Sequence, residues 1–147
     1  MAVKHVPEGY HTVTPYLLVK NASDFLVFLK KAFDAKEKDI AKGPDGTIMH
    51  AVTKIGDSFI MLGEATGKFP AMPTMLYLYV KNTDETYKNA LKAGAVSDME
   101  PKDMFWGDRN AGVRDQFGNY WSIATHIKDV TREEMEAGMK DMMKETV

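Results

Sequence analysis

Cysteine is absent from this 147-residue chain, and that absence removes disulfides, thiol nucleophiles and thiolate-held metals together. An excess of positive charge is absent too. Lys and Arg number 19 against 21 Asp and Glu, a net charge of −2, so nucleic acid has no electrostatic footprint here. Long apolar runs are missing: residues 75–80, MLYLYV, are far too few to cross a bilayer. The opening MAVKHVPEGYH has no apolar core of the signal-peptide kind, so a cytoplasmic protein without a membrane partner is expected. Histidine is sparse. His5, His11, His50 and His126 make no HxH, HxxxH or HExxH spacing, and no serine sits in a GxSxG elbow.

What is present suits one folded domain: 44% hydrophobic and 27% charged residues, in a chain long enough to bury a real core. Residues 11–20, HTVTPYLLVK, read as a strand, with Pro15 arguing for an edge position or a start there. Asn21 is placed to cap a helix, ASDFLVFLKKAF, whose Phe25, Leu29 and Phe33 fall on one face. Strands are expected over 36–42, 47–55 and 58–62, separated by a GPDG turn and the Gly56-Asp57 turn. The pattern then restarts. LLVKN at 17–21 returns as LYVKN at 78–82, and Lys31-Ala32 as Lys92-Ala93, both 61 positions on. Two matches at one offset, inside one element order, predict a duplicated βαβββ unit joined by the Pro- and Gly-bearing ATGKFPAMP. TREEMEAGMKDMMKE predicts a last helix, with Thr131 and Glu134 as a capping box and Met135, Met139, Met142 and Met143 in one stripe.

Paired βαβββ modules resemble the vicinal oxygen chelate superfamily of glyoxalases, bleomycin- and fosfomycin-resistance proteins and extradiol dioxygenases. VPEGYHTVTPYLLVKNASDFLVFLKKAF, IMHAVTKIGDSFIMLGE, FWGDR and FGNYWSIATHIKDVT are similar to its PhnB-like branch, over nearly the whole chain from about Val6 to Thr131. One departure is local: Asp115-Gln116 stands where the family often has Asp-Pro before the Phe-Gly turn. The resemblance implies an α+β fold, two βαβββ modules forming a cupped mixed sheet, within one domain over 6–130. The modules would span about 9–64 and 74–128, a C-terminal helix 131–147, and the protein would be a homodimer. Metal-dependent members place a His, Gln or Glu ligand on the first and last strand of each module. The matching positions here are Thr14, Met61, Met75 and Ser122. Hydroxyls are weak ligands and thioethers favour soft metals, so no metal and no cofactor is expected.

The densest stretch is FWGDRNAGVRDQFGNYW, residues 105–121. Its plain reading is a strand–turn–strand with Trp121 in the core and Asp108–Arg114 or Arg109–Asp115 paired at the surface. Its functional reading arches FWGDR over the cup mouth, with Trp106 as an apolar wall and Arg109 receiving an anionic group. Tyr16, Tyr77 and Tyr79, with Phe59, Met61 and Met75, give the cup adaptable apolar lining. The expected ligand-binding set is therefore Thr14, Tyr16, Met61, Met75, Tyr77, Trp106, Arg109 and Ser122. The function that follows is metal-independent binding of a small apolar or aromatic molecule. The alternative is a glyoxalase-type lyase or isomerase using a shifted metal site or acid–base residues such as His50; a pair of His50 and His126 across strands stays open.

Overall fold

Pro15 has no N–H to give a ladder, and the first strand starts only after it. In the computed structural model, which describes residues 2–145, β1 is Tyr16–Val19, four residues of the longer stretch expected. The elements after it are α1 (Ala22–Phe33), β2 (Lys36–Lys42), β3 (Ile48–Ile55), β4 (Ser58–Glu64), β5 (Met75–Tyr79), α2 (Thr83–Lys92), β6 (Val96–Asp103), β7 (Asp108–Arg114), β8 (Tyr120–His126) and α3 (Arg132–Glu145). The expected last helix also took in residues 146 and 147, which lie outside the described residues.

The duplication is visible in the topology. One sheet runs β1-β4-β3-β2 and the other β5-β8-β7-β6, with the first strand parallel to the last in each. Registers match as well: Tyr16 pairs with Met61 and Tyr77 with Ser122, each residue 61 positions from its counterpart. Even the helix starts repeat. Asn21 accepts from Asp24 N and Asn82 from Glu85 N, satisfying donors that a helix N-terminus leaves free. Glu64 at the end of β4 accepts from Asn21 N and Ala22 N, and Thr125, 61 residues later, accepts from Thr83 N. Gly56 and Gly118 take positive φ (57° and 92°) in the two equivalent hairpin turns, where a side chain would be strained.

The helices lie between the sheets. Leu17, Val19, Ala51, Ile60 and Leu62 bury the inner face of the first sheet against Phe25 and Leu29 of α1. Ala111, Val113, Trp121 and Ile123 do the same for the second. The two layers share one core: the Phe33 ring lies 4.6 Å from Trp121, and Phe25 lies 5.1 Å from Phe117 in the β7–β8 turn. Asp115 locks that turn despite the missing proline. Its carboxylate accepts from Phe117 N, Asn119 N, Asn119 Nδ2 and Trp121 Nε1. With both inner faces spent on this core, both outer faces stay open.

Candidate functional site: two tyrosine-paved sheet faces

Side chains alternate across a strand, so the outer faces carry the residues between the core positions. On the first sheet these include Tyr16, His50, Val52, Phe59 and Met61; on the second, Met75, Tyr77, Tyr79, Asp108, Asn110, Tyr120, Ser122 and His126. The expected binding residues thus fall into two groups. Tyr16 and Met61 share one outer face, Met75, Tyr77 and Ser122 the other, with Trp106 beside Tyr77, while Thr14 precedes β1 and lies outside the sheet. Apart from Thr14 and Tyr77, which both line a groove along the β5 edge, a single chain does not bring the groups together.

Tyrosines lie across small residues on both faces. The Tyr16 ring crosses Gly63, where an added Cβ would come within 2.6 Å of its hydroxyl, and that hydroxyl meets His50 Nδ1 at 3.1 Å. Tyr120 crosses Gly112 in the same way, its ring filling the space of a Cβ there, and donates to Asp98 Oδ2 at 3.0 Å. Tyr77 and Tyr79 reach from β5 over buried Ser122 and Ala124 on β8 to Asp108 on β7. Their outward sides remain open: Tyr79 is 65% exposed and Tyr77 41%. Thr14 bonds only the local His11 carbonyl, Met75 is exposed, and Ser122 is buried and donates to Asn110 Oδ1.

Asp108 is the polar hub of the second face. It is 2% exposed and accepts from Tyr77 Oη at 2.6 Å, Tyr79 Oη at 2.9 Å and His126 Nδ1 at 2.9 Å. Burial pushes its carboxyl up, but these three donors outweigh burial and hold it below the usual value. Burial and then the Asp108 bond push the Tyr77 phenol up to about 12, so it stays protonated. His126 is raised, first by Asp129 at 2.7 Å from Nε2, then by Asp108. Trp106 closes the cluster, donating from Nε1 to Tyr77 Oη at 3.2 Å.

Arg109 sits elsewhere. One step along β7 from Asp108, it points to the helix side, where Nε and Nη2 grip both oxygens of Asp84 on α2 and Nη1 reaches Asp103. The surface pairs suggested within residues 105–121 do not form; Arg114 instead lies 3.5 Å from Asp98. Sequence reasoning passed over the Asp108 hub. Strand alternation held the signal, because Ala111 and Val113 point inward and so does Arg109, leaving Asp108 outward with Tyr77 and Tyr79.

A groove of about 1190 Å³ follows the unpaired edge of β5, bounded by the end of α1 and the β3–β4 turn. Phe33, Phe59, Ile60 and Leu78 supply apolar walls. Metal donors do not gather on either face. Among the described residues no three His, Asp or Glu side chains form a set that could hold an ion, and both His126 nitrogens are engaged. Two thioethers and two hydroxyls, split between opposite faces, do not fit the divalent ion that the fold family implies.

Duplicated modules, matched registers and outward sheet faces define a class, and direct comparison gives the same one. Residues 9–123 match the Glyoxalase/Bleomycin resistance protein/Dioxygenase superfamily, and the chain belongs to that family. It is 33% identical to the uncharacterized protein Rv0887c of Mycobacterium tuberculosis, over 86% of this chain and 81% of that one. Mb0911c of Mycobacterium bovis is also 33% identical, with 91% of its length covered. Among solved structures, TioX from Micromonospora sp. ML1 superposes with a TM-score of 0.68 at 21% identity, covering 80% of this chain and 99% of TioX. The fosfomycin resistance protein FosX from Listeria monocytogenes gives 0.60 at 16% identity, over 84% and 96%. At these identities the likeness is one of fold. No helix among the described residues is long and apolar enough to cross a membrane.

Proposed function

We propose that the protein is a cytoplasmic, metal-independent binder of a planar, partly aromatic small molecule, of the PhnB-like branch. The observation that carries this is the paving of both outer faces with tyrosines laid over Gly63, Gly112 and Ala124. Rings held by their hydroxyls, with small residues beneath and one side open, offer stacking surface at little entropic cost. In this reading Tyr16, Met61 and Thr14 form one half of the site; Tyr77, Met75, Ser122 and Trp106 form the other. Because the halves face away from each other in one chain, a second copy completes the cup. The unpaired β5 edge and the exposed apolar residues Phe69 and Met72 are the surface such a partner covers.

The donor set supports metal independence. A variant of FosX from Listeria monocytogenes is complexed with Mn(II) and a dihydroxypropylphosphonic acid; Thr14, Met61, Met75 and Ser122 offer no charged donor. One observation favours catalysis instead. Asp108 holds His126 by Nδ1, as an orienting carboxylate holds a general base. Against it, Nε2 is bonded to Asp129, and both tyrosine protons point inward to Asp108.

The test titrates chelator-treated protein with naphthylmethyl methyl ether while following tryptophan emission. Saturable binding is expected, with quenching kept in Trp121→Phe and lost in Trp106→Phe. Tyr16→Ala and Tyr77→Ala should each weaken affinity about tenfold. Binding that ignores both tyrosines would remove the paved faces from the account.

A further inference from the structure

The corner around Asp108 has an asymmetry that bears on what it binds. Every proton its polar groups can donate is already engaged within the cluster. Tyr77 and Tyr79 give their hydroxyl protons to Asp108, Trp106 gives its indole N–H to Tyr77, and His126 gives both ring sites to Asp108 and Asp129. What remains outward is acceptor and π surface: the free lone pair of Tyr79 Oη, the rings of Tyr77 and Tyr79 with centroids 5.3 Å apart, the Trp106 indole and the fully exposed Asp129 carboxylate. A phenol that donates to a carboxylate becomes a better acceptor, since hydrogen bonds in a chain polarise one another. Aromatic faces above a buried anion attract positive charge.

We infer that this corner receives the protonated nitrogen of an aromatic ammonium ligand, its ring stacking on the tyrosines and its N–H groups turned to Tyr79 Oη and Asp129. This rests on the aromatic-binding reading above and adds the charge of the ligand to it. The local charges support the choice. Asp108 and Asp129 face the corner with His126 between them, so one negative charge is left over even when the imidazole is protonated. Lys128 is drawn away by Glu134 at 2.9 Å, and Arg109 lies on the other side of β7, held by Asp84 and Asp103. No unpaired cation remains at the corner among the described residues to receive an anion.

Three probes sharing one ring separate the possibilities: naphthylmethylammonium, naphthylmethyl methyl ether and naphthoate, each titrated calorimetrically into the full-length protein. The ammonium should bind about tenfold more tightly than the ether, and naphthoate most weakly. Asp108→Asn and, separately, Tyr79→Phe should each cost the ammonium roughly three- to tenfold while the ether stays within about twofold. Tyr79→Phe keeps the ring on an exposed side chain, so it decides the matter if Asp108→Asn does not fold. Equal binding of ammonium and ether overturns the inference and leaves aromatic binding standing. An ammonium preference that survives Tyr79→Phe and a folded Asp108→Asn also overturns it, placing selectivity elsewhere. No binding by any probe overturns both.

Discussion

Replacing Trp121 by alanine removes the largest fully buried side chain of the protein. The indole does two jobs at once. Its ring packs 4.6 Å from Phe33 of the other module, and its Nε1 donates to Asp115 Oδ2 at 2.7 Å. Deleting a buried Trp leaves a cavity and costs about 3–5 kcal/mol. Leaving Asp115 short of a donor adds up to about 1–3 kcal/mol, toward the low end because two backbone amides and Asn119 Nδ2 still serve it. A loss of about 4–6 kcal/mol compares with a total stability of roughly 5–15 kcal/mol, so Trp121→Ala should be marginally folded at best. Trp121→Phe keeps most of the volume and should remain folded with about 1–3 kcal/mol lost. Urea unfolding followed by circular dichroism measures both, and Trp106 fluorescence gives an independent probe in each variant. A loss below about 1.5 kcal/mol in the alanine variant would contradict the core placement, since no buried Trp cavity is that cheap.

Gly112→Ala puts a Cβ where the Tyr120 ring crosses and should cost about 1–3 kcal/mol in urea unfolding, with Tyr120 displaced from Asp98; a neutral result would mean the ring does not lie there. Arg109→Ala should barely move the urea midpoint, because its partners are largely solvent-exposed, and should leave naphthoate affinity unchanged; a clear loss of naphthoate binding would restore Arg109 as an anion receiver. Asp129 and Asp108 raise the folded pKa of His126 above its ordinary 6.5, so its stabilisation is full below about pH 6.5 and fades as pH climbs through the raised value. Urea midpoints of wild type and His126→Gln should therefore converge toward alkaline pH, and a gap widening in that direction would refute the linkage. Truncation after Lys128 should leave a dimer in sedimentation, because the proposed contact is the β5 edge and no residue of α3 is buried in the chain; a monomer would make α3 the dimer contact.

The fold was legible because duplication wrote it twice. Asn21 and Asn82 announced two helix starts, the GD and GN turns announced two hairpins, and one offset tied them together. Phe25, Leu29 and Phe33 landed on the buried face as their spacing predicted. The site was less legible for a physical reason. Sequence adjacency suggested that Trp106 and Arg109 act together, whereas strand pleating sends Asp108 and Arg109 to opposite faces. Ion pairs within residues 105–121 were equally misleading, since Arg109 finds Asp84 on a helix 25 residues earlier in the chain. The division of the expected set between two outward faces depends on how α1 and α2 pack between the sheets, through contacts such as Phe33–Trp121. No local pattern encodes that packing.

Metal-independent binding can be decided with one preparation. Protein purified without chelator is analysed for bound transition metal and titrated with naphthylmethyl methyl ether before and after treatment with a strong chelator. No stoichiometric metal is expected, and chelation should leave the affinity within about twofold, because thioethers and hydroxyls hold divalent first-row ions weakly. One tightly bound metal per protomer, whose removal abolishes ether binding and whose return restores it, would show that binding depends on metal.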